Sequence, residues 1–72
     1  MVRLRVNEVR KAKRVSMGKL SRISDVSFTT IRRVCNDPFY SPTLNTLEHI
    51  AKALNVSISD LYEEIPDDPH NQ

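Results

Sequence analysis

Residues 16–37 read SMGKLSRISDVSFTTIRRVCND. Ser16 is placed to cap a short helix whose apolar positions, Leu20 and Ile23, lie three apart on one face. That helix must end near Ser24-Asp25, because Val26 follows and Ser27 is placed to cap a second helix. The second helix carries Ile31 and Val34, again three apart, and stops at the turn signal Asn36-Asp37-Pro38. Two short helices joined by a tight turn form a helix-turn-helix unit. The outer side of the second helix holds Phe28, Thr29, Thr30, Arg32 and Arg33. Polar and basic groups on a short projecting helix suit the major groove of DNA, which is wide enough to admit one.

Upstream, Val2, Leu4 and Val6 alternate with Arg3 and Arg5, which argues for a short extended segment, with an early helix start as the alternative. Such a strand needs a partner, elsewhere in the chain or in a second copy. Asn7 is placed to cap a first helix from Val6 or Asn7 to Lys13 or Arg14, with Glu8 near its positive end. Val9 and Ala12 are expected in its core face, with Val15 packing just beyond.

Downstream, Pro38 and Pro42 stiffen the loop from Asn36 to Pro42. At least one of Phe39 and Tyr40 is expected to cover the core edge. Thr43 is placed to cap the longest helix, Leu44 to about Leu54, where Leu47, Ile50, Ala51 and Leu54 recur as a core stripe. Asn55 fits a left-handed helix end. Ser57-Ile58-Ser59-Asp60 reads as a capping box opening a final short helix that carries Leu61 and Tyr62, ended by Glu63, Glu64 and Pro66. The expectation is an all-α, compact bundle of about five short helices with the short N-terminal strand as an option. Residues 1–65 form the domain and 66–72 an acidic flexible tail.

Seventy-two residues make one domain with a small core and a narrow stability margin. No apolar run approaches the roughly 20 residues of a membrane span. The N-terminus lacks the pattern of a signal peptide, so a cytoplasmic protein is expected. Cys35 is the single cysteine, which excludes an internal disulfide and a cysteine pair for a metal. His49 and His70 lack partners at ligand spacing. Neither a metal nor a cofactor is expected. Net charge is only +2, but it is lopsided. Residues 1–34 hold ten basic residues against two acids, and residues 35–72 hold one against seven. A basic half is the electrostatic footprint of a polyanion partner.

The motifs Ser16-x-x-x-Leu20-Ser21, Val26-Ser27, Thr30-Ile31-Arg32-Arg33-Val34, Pro42-Thr43-Leu44-x-Thr46-Leu47-x-x-Ile50-Ala51-x-x-Leu54-x-Val56 and Asp60-Leu61 cover nearly the whole chain. Together they resemble the Cro/repressor-type helix-turn-helix family, also called the xenobiotic-response-element family, with its lambda repressor-like fold. The resemblance implies a sequence-specific DNA-binding transcriptional regulator, a repressor by preference, acting as a dimer on a palindromic operator. It implies phosphate contacts from Arg10 and Lys13 near the end of the first helix, from Ser16, Met17 and Lys19, from Arg32, and from Asn36, Tyr40, Ser41 and Thr43 in the following loop. Met17 stands where Gln is frequent in the family and cannot donate a hydrogen bond. Ser21 replaces Ala, Asp25 replaces the turn Gly, and Lys19 replaces an acid, which adds positive charge near DNA.

Residues at the start of a recognition helix reach base edges, so Ser27, Phe28, Thr29, Thr30 and Arg33 are the base-contact candidates. Thr29 offers a hydroxyl and a methyl. Arg33 is able to make two hydrogen bonds to guanine, worth about 1–3 kcal/mol of discrimination. For Phe28, contact with a thymine methyl and packing within the protein stand as equal readings. Two such helices enter successive major grooves about 34 Å apart when the domain dimerises. The candidate self-association faces are the Val56–Tyr62 region, preferred by resemblance, and the Val2–Val6 strand. A second reading is an interaction module of the same fold, antitoxin-like or co-activator-like, docking a protein partner through its acidic half. An enzyme is not expected, because no acid/base pair, activated nucleophile or phosphate loop is present.

Overall fold

Three of the four helices among the described residues begin where a hydroxyl side chain precedes them. In the computed structural model, which describes residues 1–66, helix α2 (Met17–Ser24) starts at Ser16, whose Oγ accepts the Lys19 amide at 3.1 Å. Helix α3 (Phe28–Asn36) starts at Ser27, whose Oγ accepts the Thr30 amide at 3.3 Å. Helix α4 (Leu44–Leu54) starts at Thr43, whose Oγ1 accepts the Thr46 amide at 3.1 Å. Each cap satisfies an amide that has no partner inside the helix, a gain of about 1 kcal/mol. Helix α1 (Val6–Ala12) differs. Its N-cap is Arg5, with no side-chain hydrogen bond, and Asn7 lies inside the helix instead of capping it. The Asn7 amide oxygen accepts from Arg10 Nη2.

Helix ends use the left-handed region. Arg14, Asp25 and Asn55 have φ of 58°, 59° and 57°. After α1, the Val15 amide donates to Arg10 O and the Arg14 amide to Lys11 O. The same nested pair closes α4 through Val56 to Ala51 and Asn55 to Lys52.

The optional N-terminal strand forms, and the all-α expectation is corrected at the other end of the chain. Residues Val2–Leu4 form strand β1, and its partner is in the same chain: Tyr62–Glu64 form strand β2, antiparallel, with Val2 opposite Glu64, Arg3 opposite Glu63 and Leu4 opposite Tyr62. The expected fifth helix is one 3-10 turn, Ile58–Leu61. Its capping box does form, since the Asp60 carboxylate accepts the Ser57 amide at 3.1 Å and the Ser57 hydroxyl at 3.0 Å. Beyond Leu61 the backbone is drawn into the ladder. Arg5 N donates to Leu61 O at 2.7 Å and Ile65 N to Met1 O at 2.8 Å. Tyr62 is therefore a strand residue. Among the described residues the fold is four helices, a 3-10 turn and a two-stranded sheet.

Helix α2 packs on α3 and α4, α1 packs on α3 and the 3-10 turn, and α4 also meets that turn. Between them lies one core of Leu4, Val6, Leu20, Ile31, Val34, Cys35, Leu47, Ile50, Ala51, Leu54 and Leu61. Val9 packs against it half-buried, and two expected core positions lie outside it altogether. Ala12 is exposed, and Ile23 is 48% exposed. At about 100° per residue, Met17, Leu20 and Ser24 share an inward arc that Ile23 misses by roughly a quarter turn. Ser24 takes the place instead, buried at 3% exposure. Its Oγ accepts the Val26 amide and its carbonyl faces His49 Nδ1 at 3.1 Å. Tyr40 packs against the core and Phe39 is exposed, so one loop aromatic covers the edge. The expected tail, apart from Pro66, lies outside the described residues. No described helix is long and apolar enough to cross a membrane.

Candidate nucleic-acid interface

Helix α3 presents two chemically opposite sides. Ile31, Val34 and Cys35 are buried, and Ile31 has no exposure at all. On the other side Thr29, Arg32, Arg33 and Asn36 are exposed, and with Asp37 they line one shallow recess. Two expected base-contact residues and two expected phosphate-contact residues are thus brought together. Asp37 was not among the expected site residues. Its Oδ1 accepts the Phe39 amide at 3.1 Å, which pins the turn after the helix. Phe28 is 47% exposed at the start of α3 and does not belong to the side chains packed against the core.

The hydroxyls of Ser27 and Thr30 are joined. Ser27 Oγ donates to Thr30 Oγ1 at 2.9 Å while accepting the Thr30 amide. Thr30 is half-buried. Both residues therefore serve the cap, and Thr29 is the hydroxyl of the first turn left on the surface without a side-chain partner among the described residues. Arg33 lies over the Tyr40 ring, with its guanidinium carbon 4.8 Å from the ring centre. Residue spacing had no way to signal that contact, because it depends on how the loop folds back along α3.

The expected phosphate contacts divide. Lys13, Ser16, Lys19, Arg32, Asn36, Ser41 and Thr43 are exposed. Ser16 and Thr43 spend their side-chain oxygens on the α2 and α4 caps. Met17 is half-buried and packs against the core. Arg10 is also half-buried: Nη1 donates to Val15 O at 3.0 Å, Nη2 donates to Asn7, and Nε is buried without a partner. It staples the α1–α2 turn from inside. Of the two candidates near the end of α1, Lys13, its C-cap, is the one on the surface.

The basic half also divides. Arg3 bridges Glu63 and Glu8, both at 2.9 Å, and Arg5 Nε meets Glu8 at 3.3 Å. These cations are spent on the sheet and on its junction with α1. Burial would push the Glu8 carboxyl up, but hydrogen bonds and charge from Arg3 and Arg5 hold it below the ordinary carboxylate range. Lys11, Lys13, Arg14, Lys19, Arg22, Arg32 and Arg33 are exposed and make no ion pair among the described residues. Burial pushes the Cys35 thiol up, opposed in part by the Arg10 guanidinium beside it.

No curated protein matches the chain. The sequence pattern of the Cro/C1-type HTH DNA-binding domain matches residues 5–67. That span runs from the start of α1 through the capped α2–turn–α3 unit and on past β2. By that match over most of its length, the chain belongs to the Cro/C1-type HTH DNA-binding domain family.

Proposed function

We propose that the chain is a sequence-specific transcriptional regulator, a repressor, that lays α3 in the major groove of an operator. The observation that carries this is the recess on α3, where Thr29, Arg32, Arg33 and Asn36 converge on the exposed side of a helix whose other side is locked into the core. Thr29 and Arg33 supply base-edge donors and acceptors, and Arg32 and Asn36 supply phosphate contacts. Lys13, Lys19 and Ser41 add backbone contacts. Free surface cations give the salt-dependent part of the affinity.

A single short helix reads few base pairs, so the regulator works as a dimer on a palindrome. Support for the dimer face comes from the sheet. The two candidate segments, Val2–Val6 and Val56–Tyr62, meet there, and one groove is lined by Val2, Leu4, Tyr62 and the start of α4 at Leu44. Leu44 is 73% exposed at that groove. Sedimentation of the protein alone and on a two-half-site duplex tests this: a monomer in both states refutes it.

The test of function is selection of bound duplexes from a random pool with wild type and with Arg33→Ala. A two-half-site motif with wild type, relaxed at one base per half-site in the variant, is expected. Binding without an enriched motif, abolished at moderate salt, points instead to an interaction module of this fold.

A further inference from the structure

An arginine that reads a base must first be held still, and the chain contains a device for that. Tyr40 sits in the loop after α3, and the loop is tied down from several directions. The Tyr40 amide donates to Asp37 O at 3.1 Å, and the Phe39 amide to Asp37 Oδ1 at 3.1 Å. Pro38 O accepts the Leu4 amide at 2.7 Å, which fastens the loop to β1. One side of Tyr40 packs against the core. The ring is therefore a fixed platform, and the Arg33 guanidinium stands 4.8 Å from its centre.

Two features make this more than a surface contact. Asp37 lines the same recess as Arg33 yet forms no ion pair with it. The guanidinium donors are thus left for a ligand, because a ring face takes the cation without consuming its N–H groups. Arg32, the neighbouring arginine, is exposed and has no aromatic partner among the described residues. The two arginines differ in preorganisation although they are adjacent in sequence.

We propose that Tyr40 is a positioning residue whose ring holds Arg33 for two-pronged recognition of a base, which makes Tyr40 a determinant of operator specificity. This rests on the groove-reading function proposed above. It assigns the base to Arg33 and the phosphate to Arg32 on physical grounds, since rotamer freedom lost in advance is not charged against binding.

The test uses the full chain and the duplex recovered by wild type, with each base of one half-site varied in turn. Tyr40→Leu is expected to lose about three- to ten-fold of the discrimination at the same base position that Arg33→Ala relaxes, with no further loss in the double variant. Tyr40→Phe keeps that preference, because the ring is retained. Arg33→Lys keeps the charge but loses the preference, and this variant leaves the core and the loop untouched. Arg32→Ala weakens every sequence alike. In the protein without DNA, the Arg33 side-chain protons show an upfield ring-current shift that Tyr40→Leu abolishes. Full discrimination in Tyr40→Leu, a loss spread evenly over all positions, a loss in Tyr40→Phe, or retention in Arg33→Lys each overturns the proposal. Absence of any motif with the unsubstituted protein overturns the groove-reading function and the positioning role together. It is distinguishable because it appears before any substitution.

Discussion

Ile23 and Ile31 offer a controlled comparison, because both are isoleucines on the two helices of one motif. By spacing alone both belong to the core, whereas Ile31 is fully buried and Ile23 is 48% exposed. Truncating a buried isoleucine to alanine costs about 2–5 kcal/mol, from lost transfer energy plus the cavity left behind. At Ile23 three carbons are removed from a site already half in water. At ~0.8 kcal/mol per buried carbon the loss is about 1 kcal/mol, and alanine's better helix propensity returns a few tenths. A domain this small holds roughly 3–5 kcal/mol in total. Ile31→Ala is therefore expected to melt far below wild type or to be largely unfolded at 25 °C, while Ile23→Ala remains folded. Urea unfolding followed by far-ultraviolet circular dichroism measures both. Ile31→Val, expected to cost about 0.5–1.5 kcal/mol, keeps the comparison quantitative if the alanine variant does not fold. A loss at Ile23→Ala above 2 kcal/mol, or one equal to that at Ile31→Ala, would refute the assignment of Ser24 rather than Ile23 to the core side of α2.

Glu8 predicts a pH dependence. Its carboxyl is held low by Arg3 and Arg5, so the ion pairs stabilise the fold above the unfolded value of about 4.3 and fade as pH falls through the lower folded value. Glu8→Gln is expected to melt below wild type at pH 7, and the gap should close as pH falls below the lowered folded value; a gap that persists in strong acid contradicts this. Cys35, with burial raising its thiol, is expected to resist alkylation at neutral pH until denaturant is added, and rapid native labelling would show that the α1–α3 contact opens. Arg14 has a φ of 58° and is exposed, so Arg14→Gly should relieve backbone strain and raise stability by about 0.5 kcal/mol after the entropy of the unfolded glycine is counted. A fall in melting temperature would show that the arginine side chain contributes more than its backbone strain costs.

What the sequence determined by itself was local. Ser16, Ser27 and Thr43 announced three helix starts, and Asp25 and Asn55 announced two helix ends. In each case the deciding atoms lie within a few residues of one another, so the partner of each side chain can be counted off along the chain. The stripe of Leu47, Ile50, Ala51 and Leu54 was equally legible, because a helix of several turns averages out errors in its phase. So was most of the α3 surface, since Thr29, Arg32 and Arg33 follow from the helix period once Ile31 and Val34 point inward, whereas Asn36, expected in the loop after the helix, is the last residue of α3. Tertiary structure decided the rest. A helix of eight residues is too short for spacing to choose between Ile23 and Ser24; the positions of α3 and α4 made that choice. Tyr62 follows a sound helix start, yet pairing with Leu4 drew it into a strand, and nothing near Tyr62 encodes a partner almost sixty residues away. Arg10 looked like any surface cation until the turn closed around it. The contact of Arg33 with the Tyr40 ring depends on the path of a loop whose Pro38 carbonyl accepts the Leu4 amide of β1. Hydrogen bonds between neighbours in sequence survive any arrangement of the helices, whereas burial, strand pairing and ring stacking are properties of the arrangement itself.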